Sequence, residues 1–170
     1  MNAKLIVEGK EFEIEILDPQ LKELLRPLEK MRRTGYERMY APDKYYYEDI
    51  SGKMFSEEHS GEYDNDVYNA ANYYSNESVA ANNARADRLM RQLRRFAVEH
   101  RKNELNWNNN GQNKFFIYYD YILGELDIGY EYANRGPFII FFDTRQTAQK
   151  AIDTFHDELI WYFTEYKDSL

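Results

Sequence analysis

The run from Asn76 to about residue 104 constrains this chain more than any other feature. Val79, Leu89, Met90, Leu93, Phe96 and Ala97 recur at helical spacing and predict one long helix with a buried stripe. Arg88, Arg91 and Arg95 fall on another face. Ser75 reads as the N-cap, and Glu77 sits in the first turn, where the helix dipole favours an acid. The tract from Asn106 to Asn113, rich in Asn and broken by Gly111, ends the helix and marks the internal boundary.

The flanks read as two α+β pieces. Residues 3–8 and 11–17 predict a hairpin around Gly9-Lys10, because Phe12, Ile14 and Ile16 alternate with Glu11, Glu13 and Glu15. Asp18-Pro19 opens a helix over 19–32, with Pro27 set to kink it. Tyr45, Tyr46 and Tyr47 before Ser51-Gly52 predict a further hairpin, and the stretch from Glu57 to Asp66 reads as a mobile acidic loop. After the boundary, 115–121 and 126–132 read as strands joined at Gly124, and the apolar run 138–142 as a buried central strand. Asp143 and Gln146 form the expected capping pair of a closing helix, either one long helix or two abutting ones. The fold class is therefore α+β: an N-terminal β-hairpin plus helix, a long central helix, and a C-terminal β-β-β-α module with a mainly antiparallel sheet. Residues 1–105 and 114–170 are the two expected regions, standing apart or around one shared core.

Composition narrows the chemistry. There is no cysteine, which removes thiol nucleophiles, disulfides and thiolate metal sites. No apolar run reaches the ~18 residues of a membrane span, and Met1-Asn2-Ala3-Lys4 does not open a signal core, so a cytoplasmic protein without membrane attachment is expected. The glycines are scattered singly, so no phosphate cradle forms from consecutive positions. Of the histidines His59, His100 and His156, only His156 lies in a suggestive setting, Asp153-Thr154-Phe155-His156-Asp157. That setting lacks the second histidine one turn on that a zinc helix requires. No catalytic residue, metal site or cofactor is expected, and the chain reads as a binding protein, not an enzyme.

Charge gives that reading its shape. The net charge of −8 disfavours direct nucleic-acid binding, which draws on counterion release. It divides into −6 over residues 43–66, +5 over 85–102 and −6 over 120–170. Sixteen tyrosines, where about five would be ordinary, either fill half-buried strand positions or serve as contact residues. A host protein is the expected partner, with Tyr45, Tyr46 and Tyr47 as anchors and Glu57, Glu58, Glu62, Asp64 and Asp66 as an acidic surface for a basic groove. The alternative is a nucleotide or oligonucleotide held by Arg88, Arg91 and Arg95. Against it, the acidic segments can fold onto the helix and neutralise it.

Two resemblances bear on origin. The stretch Arg135-Gly136-Pro137-Phe138-Ile139-Ile140-Phe141-Phe142 resembles the signature strand of RNA-recognition motifs, but Pro137 and Ile139 stand where that family stacks bases. Three other segments resemble uncharacterised small accessory proteins of phages and mobile elements of gut Firmicutes. They are Ser78 through Phe96, Thr34-Gly35-Tyr36-Glu37-Arg38, and Trp161-Tyr162-Phe163-Thr164-Glu165-Tyr166-Lys167. This family carries no catalytic residues to transfer. The resemblance implies a phage accessory role, of the kind that includes inhibitors of host defence such as anti-CRISPR proteins.

Overall fold

A computed structural model describes residues 2–7, 10–15, 34–39, 43–58 and 61–169. The architecture is α+β. Strands β1 (Asn2–Val7) and β2 (Lys10–Glu15) pair antiparallel, as do β3 (Lys44–Glu48) with β4 (Met54–Glu58) and β5 (Lys114–Asp120) with β6 (Glu125–Glu131). Three helices complete the described elements: α1 (Glu62–Asn69), α2 (Glu77–Glu99) and α3 (Arg145–Thr164). The helix expected over 19–32 lies outside the described residues, as does His59.

Helix α2 is the spine. Leu89, Leu93 and Ala97 enter the largest core with Ile128 of β6, Phe142, and Ala148, Ala151, Ile152 and Leu159 of α3. One core thus spans the Asn/Gly tract. Nearer its start, Val79 and Ala80 pack with Tyr74 against Tyr46 and Met54 of the β3–β4 hairpin. The hairpin's other face joins Tyr45 and Tyr47 to Val67 of α1 and to Tyr73. The tyrosine triplet therefore follows the strand period of two: Tyr45 and Tyr47 look toward α1, and Tyr46 looks toward α2.

Local chemistry moves several boundaries. The N-cap of α2 is Asn76, whose Oδ1 accepts from the Val79 amide at 3.0 Å. Ser75, the expected cap, instead donates its hydroxyl to Glu37. The helix stops at Glu99, short of residue 104, because the buried Asp143 carboxylate accepts the amides of Lys102 and Asn103 at 2.8 and 2.9 Å. With Asp143 so engaged, Thr144 caps α3 by accepting from the Thr147 amide at 3.0 Å. Phe155 has non-helical angles (φ −116°, ψ 22°), so α3 is two helical pieces across a kink. The kinked residue sets its ring edge-on to Phe96 at 5.6 Å.

Two expectations are corrected. The described part of the expected loop from Glu57 to Asp66 is mostly regular structure: β4 runs to Glu58, and α1 begins at Glu62. The expected central strand 138–142 shrinks to one bridge, in which Phe115 and Phe142 exchange backbone hydrogen bonds of 2.9 and 2.7 Å. Phe138 takes a positive φ of 64° and is 89% exposed. That angle is incompatible with an extended strand. The apolar run instead forms a lip over an apolar cavity of about 300 Å³ between α2, β5 and α3.

Candidate functional site

The motif Thr34-Gly35-Tyr36-Glu37-Arg38 is a clamp on the start of α2. The Glu37 carboxylate accepts from the Thr34 amide, from the Thr34 hydroxyl at 3.0 Å, from the Gly35 amide at 3.1 Å and from the Ser75 hydroxyl. Burial alone would raise its pKa; the donors outweigh burial and hold it down at about 2. Gly35 has φ 95°, and a Cβ there would meet Val79 Cγ2 at 2.6 Å, so only glycine fits. The closing aromatic motif is structural too. Trp161 is buried, and the Arg85 guanidinium lies 3.9 Å from its ring centroid.

The tyrosine candidates separate. Tyr45 is fully buried and stacks on Tyr73 at 4.1 Å with 8° between the rings. Its hydroxyl donates to Asp64 Oδ1 at 2.6 Å, and Asp64 Oδ2 accepts the Gly61 amide at 2.7 Å. Burial, then the Asp64 carboxylate, pushes the Tyr45 phenol well above its ordinary value. Tyr47 is buried as well, and burial with its 2.9 Å bond to Glu57 raises it to about 12. Tyr46 is half-buried against α2. Tyr45, Tyr47 and Asp64 are therefore internal residues and not partner contacts. A buried phenol needs an acceptor, and the neighbouring acids provide it.

Glu57, Glu58 and Asp66 remain exposed, and Glu62 lies at the start of α1. Beside them stand two aromatics that the sequence reading passed over: Phe55, 43% exposed, and Tyr63, 61% exposed. Among the described residues β4 pairs with β3 alone, so the acids flank the edge of a two-stranded sheet.

The arginine candidates are engaged. Arg88 and Arg91 face Glu48 of β3 at 3.6 and 3.5 Å, and Arg95 pairs with Glu99 at 3.9 Å. Arg85 forms a two-pronged bond with Glu158 of α3 at 2.8 and 2.9 Å. Each acidic segment thus lends one acid to α2, Glu48 from one side and Glu158 from the other. Arg94 and Arg101, which belong to the same basic run, are joined by Arg135, which the run does not include: the three line one cavity of about 310 Å³ with Trp107. None of the three has a carboxylate partner among the described residues.

His156 contacts Asp157 at 3.0 Å on the surface, and His100 stacks on Phe96 at 3.9 Å. Among the described residues no group of three or more His, Asp or Glu is placed to hold a metal ion. Among the same residues no helix is long and apolar enough to cross a membrane. No family model, curated protein or solved structure matches this chain.

Proposed function

We propose that this chain is a phage or mobile-element accessory protein that binds a host protein in the bacterial cytoplasm and catalyses nothing itself. In its most concrete form it inhibits a host defence system by covering the basic nucleic-acid groove of a nuclease such as a CRISPR effector. The observation that carries the reading is the exposed acidic and aromatic edge formed by β4 and α1. Glu57, Glu58 and Asp66 supply the charge, and Phe55 and Tyr63 replace the buried tyrosines as anchors. Acids around a pair of exposed rings match a groove lined by Lys and Arg, with charge speeding the encounter and the rings slowing release.

The test is binding to a purified CRISPR nuclease by biolayer interferometry across a salt series. Glu57→Lys/Glu58→Lys/Asp66→Lys should lower the association rate about tenfold or more at low salt and flatten its salt dependence. Phe55→Ala/Tyr63→Ala should act mainly on dissociation. A triple variant that binds with unchanged rate and salt dependence would sink the proposal.

A further inference from the structure

We propose that the groove between the second half of α2 and the loop after β6 is a binding site for a nucleotide, taken through its phosphate and its base. This inference is independent of the acidic edge. Arg94 and Val98 lie four apart on α2, Arg101 follows just past its end, and all three line the groove from one side. Arg135 and Ile139 enter it from the loop that follows β6. Among the described residues no acid lines the groove. In a chain of net charge −8, whose arginines at 85, 88, 91 and 95 each face an acid, three guanidiniums around one cavity with no carboxylate partner among the described residues call for an anion from outside.

The wall behind them adds to the field. Lys114 is fully buried, and its ammonium donates to the backbone oxygens of Asn109 and Tyr132 at 2.9 and 3.0 Å. No carboxylate pairs with it among the described residues. It lies 5.2 Å from the centroid of Trp107, and the Arg135 guanidinium lies 5.8 Å from the same ring. Trp107 itself is held in place. It meets Phe141 edge-on at 4.9 Å, and its loop is tied by Gln112, which accepts the Asn106 amide at 2.7 Å and donates to the Glu104 carbonyl at 2.7 Å. A fixed, half-buried indole beside forked cations combines base stacking with phosphate binding. The cavity of about 310 Å³ is at the small end of ligand sites, the scale of one nucleotide unit.

That unit can come free or as part of a single strand, and thermal-shift and titration measurements on the intact protein separate the two. The probes are inorganic phosphate, ADP, an eight-nucleotide oligoadenylate and a polyglutamate peptide. ADP or the strand should raise the melting temperature. The gain should fall about tenfold or more in affinity in Arg101→Gln and in Arg135→Gln, and stay unchanged in Arg91→Gln. Tighter binding of ADP assigns a free nucleotide; tighter binding of the strand assigns single-stranded nucleic acid. Trp107→Leu should remove the preference of ADP over phosphate; should that variant not fold, the two arginine variants still decide. The proposal is overturned if neither ADP nor the strand binds, if phosphate binds as well as ADP, if only polyglutamate binds, or if the arginine variants bind like the parent.

Discussion

The arginines along and just beyond α2 are alike in sequence but divide into two sets by whether an acid faces them. Arg85, Arg88 and Arg91 meet Glu158 and Glu48, brought from α3 and β3. Further along, Arg95 pairs with Glu99 of the same helix, whereas among the described residues Arg94, and Arg101 just beyond the helix, meet no acid and line one cavity with Arg135. The first set is internal cement, and the second is a surface open to a ligand. The difference teaches that a charge sum along a helix says little about which cations are free. The hairpin and α3 supply acids only where they pass over it.

The largest test of this comparison strikes the clamp that seats the start of α2. Gly35→Ala places a Cβ 2.6 Å from Val79 at a positive φ and should cost about 3 kcal/mol in urea unfolding. A loss below about 1 kcal/mol would mean the clamp does not hold α2. Next comes Arg88→Ala/Arg91→Ala. Glu48 has a side chain only 12% exposed, and its Oε1 is buried without a hydrogen bond. Removing both cations leaves that carboxylate uncompensated, so a loss of about 2–3 kcal/mol is expected. Combining it with Glu48→Gln should recover most of the loss.

Acid tests the clamp by another route. The Glu37 carboxyl is held at about 2, below the ordinary 4.5, so the unfolded chain binds the extra proton. Its contribution is complete above about pH 5 and is lost as pH falls toward 2. Glu37→Gln should therefore be less stable than the parent near neutrality, by about 1–2 kcal/mol, and the gap should close in acid. A gap that persists at pH 2 would assign the loss to shape and not to charge. The smallest effect belongs to the second set of arginines. Arg94→Ala and Arg101→Ala should each change stability by less than about 0.5 kcal/mol, because no partner loses its charge. A larger loss in either would show that these arginines are paired after all.

Much of the fold was legible before any coordinates. The stripe on α2, the β3–β4 hairpin, the β5–β6 pair and the closing helix all follow from periodicity and turn residues, which act over a few positions. The misreadings have two causes. Ser75 and Asp143 looked like caps because their spacing was right, yet distant partners claim them: Glu37 takes the Ser75 hydroxyl, and the amides of Lys102 and Asn103 take Asp143. The apolar run 138–142 looked like a strand because periodicity cannot separate a buried strand from an apolar lip on a cavity. Among the site candidates, Glu57, Glu58 and Asp66 were readable as surface acids, whereas Asp64 was not, since only the fold puts the Tyr45 hydroxyl against it.

The amino-acid sequence by itself determined the class of fold, the long central helix, the lack of thiol chemistry and the alternation of acidic and basic segments, because each depends on composition or short-range pattern. Which tyrosines are core, which arginines are neutralised and which remain open were decided only by tertiary structure. An ion pair or a buried phenol depends on a second residue far along the chain, such as Glu158 for Arg85 and Asp64 for Tyr45. No local pattern records that partner.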